Sequence, residues 1–348
     1  TIRNTKFASN TAKYGGAIRN EQGSLTITDD EFTGNHADYN GGAFHNSGFV
    51  DISNSKFANN TAQYGGAINH YDHDMIISNT QFANNTAAEY GGAINNENGG
   101  LEIESTNFTQ NTARYGGAIE NRYQLNIDNC RLESNNAHYG GAIDNDMGEA
   151  IIENTQFKNN TASRYGGAVY NDNGKTSITN TGFTQNTARY GGAVASENGE
   201  MEITNADFTQ NTAEQHGGAV YTLDGDTTIA NANFTNNTAG QYGGAIDNGG
   251  KTTITNAQFT NNKAYAAGAI ETSSDMTISN AEFIGNGEDC IEVDYDAKIT
   301  LDNVTSDVQL VNDEISMEIL EAKDVVYGND INIKVQVESS AITPLSSG

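Results

Sequence analysis

The chain has 348 residues, of which 45 are Asp or Glu and only 17 are Lys or Arg, giving a formal net charge of −28. So acidic a surface repels nucleic acid and anionic membranes, whose phosphates need clustered Lys and Arg, and no run of about 18 apolar residues is present to span a bilayer. Hydrophobic residues make up 36%; a highly charged chain of that kind can be disordered, but here the apolar positions recur at fixed spacing.

The opening residues, from Thr1 to Phe7, already lie inside a repeat and form no signal peptide, so the chain reads as a mature fragment of something longer. From Ile2 and Phe7 the pattern runs through Asn10, Ala12 and Tyr14 to Gly15-Gly16-Ala17-Ile18. Phenylalanine then returns every 24 to 26 residues, at Phe32, Phe57, Phe82, Phe108, Phe157, Phe183, Phe208, Phe234, Phe259 and Phe283, with Leu132 filling the one gap. An isoleucine stands five residues before each of these and an asparagine three residues after, as in Asn35, Asn60, Asn85 and Asn111. This spacing follows no 3.6-residue helical period. Short strands broken by Gly and Asn fit it better.

A period near 25 is too long for a hairpin and too regular for a sandwich. It predicts an all-β chain, a right-handed parallel β-helix (solenoid) of about 12–13 coils, each coil built of about three short strands. Stacking would place each Phe on the previous Phe and each Ile on the previous Ile, since no coil can bury its apolar face alone. The asparagines after the Phe would form an amide ladder and supply the left-handed backbone of a tight turn. The glycine pair would supply positive φ or close backbone approach. The single proline fits, because proline cannot donate to a sheet ladder.

Within the coils, a tyrosine precedes the glycine pair at Tyr14, Tyr64, Tyr90, Tyr115, Tyr139, Tyr165, Tyr190 and Tyr242, with Tyr39 and Tyr265 displaced and His216 substituting. Stacked, these form a column along one edge. It is either an aromatic platform for sugars or a protein partner, or a stack that shields the glycine turns. The turn after each Gly-Gly-Ala-Ile varies most, for example Asn20-Glu21-Gln22-Gly23 against Thr222-Leu223-Asp224-Gly225-Asp226. Such variation suits a recognition face, or plain solvation of tight turns. Its acidic groups allow weak Ca²⁺ binding, although the calcium-binding pattern G-G-x-G-x-D is absent. His70, His73 and Asp74 share one turn and are weak metal candidates. No residue is assigned a catalytic or cofactor-binding role. No basic residue is seen beside the acidic pairs and no long loop builds a cleft, so an enzyme is not expected.

Cys130 and Cys290 lie more than six repeats apart, about 30 Å at roughly 4.8 Å per coil, too far for a disulfide; both are expected free and buried. Seven N-x-[ST] sequons, candidate glycan acceptors, occur at Asn59, Asn84, Asn107, Asn159, Asn233, Asn236 and Asn303, and alternation places the six inside the regular coils, all but Asn303, outward. The repeat fades after Phe283, and Cys290-Ile291 with Ile299 to Val304 reads as a worn final coil. The β-helix is thus assigned residues 1–312. Residues 313–340 follow as two amphipathic strands that either cap it or begin an Ig-like domain, and 341–348 form a flexible tail.

The paired Gly-Gly-Ala-Ile and Phe-x-x-Asn motifs resemble the polymorphic outer-membrane proteins of Chlamydia, surface adhesins with a β-helical passenger. The Asn-Thr-rich coils followed by Val325-Val326-Tyr327-Gly328-Asn329-Asp330 resemble adhesin-like proteins of methanogenic archaea, which place β-helix repeats before immunoglobulin-like ones. The resemblance covers residues 1 to about 305 strongly and 313–340 weakly, and no autotransporter barrel follows. It implies an extracellular, cell-surface adhesin or binding stalk for a glycan or protein ligand, with further domains of the same chain and no direct membrane insertion. A polysaccharide lyase or hydrolase and a passive spacer are the alternatives. The coils are nearly interchangeable, which favours binding or spacing.

Overall fold

The computed structural model describes residues 1–287, 289–294, 297–308 and 310, and the strand backbones of 315–322 and 333–339. Strands and turns account for all the regular structure of these residues, with no helix. They wind into a right-handed parallel β-solenoid of about 12 coils with roughly 25 residues per turn.

One coil shows the plan. Gln124–Asp128 and Arg131–Glu133 lie in the widest sheet, Asn136–Tyr139 in a second and Ile143–Asp146 in a third. Each junction is a single residue in the left-handed region: Asn129 at φ 52°, Ser134 at 57°, Gly140 at 56° and Met147 at 58°. This corrects one expectation. The ladder asparagine itself is not left-handed; the residue just before it is, as at Asn59, Asn84, Gln110 and Asn159. Polar side chains tolerate this backbone best among non-glycine residues, so asparagine serves two neighbouring positions for two different reasons.

Register is set by identity. Phe57 pairs with Phe32 on one side and Phe82 on the other, and the Phe32 and Phe57 rings stack at 4.5 Å, 1° from parallel. Leu132 takes the same place between Phe108 and Phe157. The isoleucines form a second buried stack and the alanines after Gly-Gly a third. Because each coil leans on its neighbours, the core runs the length of the solenoid. Backbone hydrogen bonds join coil to coil along the axis, such as Gly41 N to Tyr64 O at 2.9 Å and Asn59 N to Ala83 O at 3.0 Å.

The glycine pair divides its work. Gly140 supplies the positive φ, while a Cβ on Gly141 would sit 2.0 Å from the Gly167 carbonyl of the next coil. The asparagine ladder is present as expected: Asn111 donates from Nδ2 to Asn135 Oδ1 and to Phe82 O, each at 3.0 Å. Its own Oδ1 accepts from the N and Nδ2 of Asn85, both at 3.0 Å. Cys130 and Cys290 are free and buried.

The worn coil is also found, with Ile270 pairing Ile291 and Ile278 pairing Leu301. Beyond it Ile333–Ser339 pairs antiparallel with Lys298–Ser306, and Ile315–Ala322 pairs antiparallel with Ile333–Ser339. The antiparallel pair thus covers the edge that the last parallel strand of the widest sheet would leave open. The tail at 341–348 lies outside the described residues.

Candidate functional site: an aromatic-walled groove

The second and third sheets meet at the glycine pair. The tyrosine column stands on one side of that corner, at the end of the second sheet. Tyr64, Tyr90, Tyr115, Tyr139, Tyr165 and Tyr190 stack at 5.0–6.0 Å between ring centroids. His216 and Tyr242 continue the stack at 5.5 and 5.2 Å. Tyr14 is separated from this run. It stacks on Tyr39 at 5.6 Å, but the rung facing Tyr64 is Asn40, because Tyr39 is displaced by one residue. Most of these rings are half-buried. Their faces take cations: the Arg122 guanidinium lies 4.1 Å from the Tyr90 centroid and that of Arg164 lies 5.1 Å from Tyr165.

The floor of the corner is the outward column of the third sheet, which sequence reasoning did not find. It runs Asn95, Glu120, Asp144, Tyr170, Ala195, Tyr221, Asp247, Glu271 and Glu292 in continuous register. In the middle of the rod this floor is roofed over. Glu120 is fully buried and Asp144 nearly so, and both Glu120 carboxylate oxygens and Asp144 Oδ1 lack hydrogen-bond partners. Burial, and then Asp144 one rung away, push the Glu120 carboxyl well above its ordinary range. Burial, with Asp146 and Asp172, does the same to Asp144.

A basic residue does stand beside these acids, contrary to expectation. Arg122 reaches Glu120 Oε1 at 3.3 Å and Asp146 Oδ2 at 3.1 Å. Tyr170 fills the next floor position, donating from its hydroxyl to Glu197 Oε2 at 2.7 Å and packing on Tyr139 and Tyr165.

The roof ends at one place. The rung after Tyr242 is Ala266, while Tyr265 points away at 90% exposure. On the far wall, Gly249 lies against the Leu223 backbone and brings no side chain. The floor acids here, though largely buried, border a cavity of about 430 Å³ whose lining includes His216, Tyr221, Leu223, Tyr242, Asp247, Gly249, Glu271, Glu292 and Asp294. His216 Nδ1 lies 2.7 Å from Asp247 Oδ2. Glu271 is the next rung after Asp247, and its carboxyl is pushed up to about 9 by burial, with Asp247 and Asp294 adding to the effect.

The turn candidates separate. His70 is fully buried and belongs to a second inner ladder, with its ring nitrogens against Asn46 Nδ2 at 3.2 Å and the His73 carbonyl at 3.1 Å. Burial holds it neutral, down to about 4. His73 packs edge-on against Phe49, and Asp74 is exposed on the next strand. Among the described residues no three His, Cys, Asp or Glu side chains gather as a metal site needs. The second ladder also joins Asn96, Asn121, Asn145 and Asn171 at 2.7–3.0 Å; its signal was the asparagine two residues after Gly-Gly-Ala-Ile. The turns themselves carry exposed apolar groups, at Phe49, Tyr71, Tyr123, Met147 and Leu223. All seven sequon asparagines are exposed.

The fold and groove define a right-handed parallel β-solenoid. The family model for the right-handed β-helix region matches residues 116–278 and, overlapping, 191–332, so the chain belongs to that family. The repeat of the Chlamydia polymorphic membrane protein matches residues 79–97. Comparison with curated proteins and with solved structures gives no match.

Proposed function

We propose that the chain is an adhesin, a surface-displayed binding stalk whose tyrosine-walled groove engages a glycan or protein on a host or partner cell. The observation that carries this reading is the contrast between interior and turns. Stacked inner positions hold one residue type over many coils, whereas the exposed turns beside the tyrosine-walled corner change from coil to coil and carry Phe49, Tyr71, Tyr123, Met147 and Leu223. A spacer needs only the first property. The polymorphic membrane protein repeat supports an outer-surface location. Screening the purified chain on glycan and protein arrays, with and without calcium, tests the reading. A ligand lost on replacing the exposed Tyr242 with Ser supports it, and silence on every array leaves only the spacer.

A second reading, a polysaccharide lyase or hydrolase, is favoured by one observation: the coils around His216, Asp247 and Glu271 differ from the rest and open a cavity. Incubation with a polysaccharide panel, followed for new reducing ends and unsaturated products, tests it. No turnover removes it.

A further inference from the structure

We propose that the cavity at the end of the tyrosine column receives a lysine side chain of a protein partner. The inference deepens the binding-stalk reading and rests on it for the partner's being a macromolecule.

Two wall positions beside the cavity lack a large side chain, Ala266 in place of a tyrosine and Gly249 against the Leu223 backbone. At its base lies a floor of acceptors. Asp247 and Glu271 retain only 6% and 8% exposure, and Glu292 and Asp294 line the same space. No Lys or Arg is among the lining residues. Asp247 and Glu271 stand on adjacent rungs of the third sheet, carboxyl over carboxyl. Two acceptors facing each other need a proton or a cation between them. A divalent metal is poorly matched, since no three ligating side chains converge among the described residues.

An alkylammonium group matches. Its donors would meet Glu271 and the Asp247 oxygen that His216 leaves free, and Tyr221, Tyr242 and Leu223 would flank the methylene stem. A guanidinium is less suited, because its fork wants both oxygens of one carboxylate and Asp247 Oδ2 already contacts His216. An amino sugar carries its nitrogen directly on the ring, with no stem to span the aromatic wall.

Binding should also release a proton. Without ligand, Glu271 keeps its proton up to about 9, facing Asp247, Asp294 and Glu292, with His216 on the far side of Asp247. An arriving ammonium favours the ionised carboxylate and displaces that proton. Affinity therefore rises with pH toward about 9, and falls once the amine itself loses its charge near 10.4.

The test is isothermal titration calorimetry of the intact chain with a short lysine peptide, in two buffers of different ionisation enthalpy. Acetyl-lysine and arginine peptides and glucosamine oligomers serve as comparison ligands. Expected are binding by the lysine peptide, at least tenfold weaker binding by the others, and net proton release at pH 7. Glu271→Gln should cost about tenfold in affinity and abolish the pH dependence, whereas Glu102→Gln on the widest sheet should change neither. Equal affinity for lysine and acetyl-lysine, tighter binding of glucosamine or arginine, or no proton release from the unaltered chain overturns the proposal. Failure of the peptide with a ligand still found on the arrays sinks this inference alone; peptide binding with silent arrays supports the pocket and removes the long groove from the account.

Discussion

Asn111 illustrates what one residue does in this fold. Its side-chain amide takes part in four hydrogen bonds that tie three coils together. Asn111→Ala strands their partners in a dry interior, at about 1–3 kcal/mol for a buried unsatisfied group. Thr109→Ala, two residues away on a partly exposed site, should cost well under half as much. Equal melting shifts for the two variants would deny the ladder its role. A second site runs the other way. Ala267 takes the place of the first glycine with φ +56°, a conformation costing a non-glycine residue roughly 1–2 kcal/mol. Ala267→Gly should therefore stabilise the chain by about 1 kcal/mol in denaturant titration, after the entropy that glycine loses on folding; an unchanged or lower midpoint refutes this. The Phe and Asn columns were legible in the sequence because one residue type recurs at one spacing. The left-handed corners were misplaced by one residue because asparagine is abundant on both sides of that position, as in Asn59-Asn60 and Asn84-Asn85, and spacing alone does not separate turn from ladder.

At the level of elements, the groove depends on how the second and third sheets meet. Its tyrosine wall was legible, again by repetition. Its floor was not, because Asn95, Glu120, Asp144, Tyr170 and Ala195 share no chemistry, and only strand register shows that they stack. The acids on that floor couple stability to pH. Glu120, Asp144 and Glu271 all hold protons in the fold above the range in which the unfolded chain releases them, near 4. The folded state then binds more protons, so these groups make stability fall as pH rises. The loss begins above about pH 4 and, through Glu271, extends to about 9. Thermal melts across that range should show the decline. The double variant Glu120→Gln, Asp144→Asn should melt higher than the parent at pH 8, with the difference shrinking toward pH 4. Parallel curves at all pH values would show that the pair does not titrate on unfolding. Arg122 opposes part of the effect at Glu120, so Arg122→Met should steepen it.

For the whole molecule, about 12 coils at roughly 4.8 Å each give a rod near 60 Å long. Small-angle scattering should yield an elongated particle of that length, and a compact sphere would contradict the fold. The inter-coil hydrogen bonds lie along the rod's axis, and that alignment has a mechanical consequence. Tension applied along that axis opens those bonds directly instead of shearing them. Coils should peel off in succession, each releasing about 25 residues or roughly 80 Å of slack chain. A single-molecule pulling trace should therefore be a sawtooth of even, low steps, and one tall all-or-none rupture would contradict it. A tether built this way yields by lengthening, so a load that would break a stiffer rod is dissipated one coil at a time.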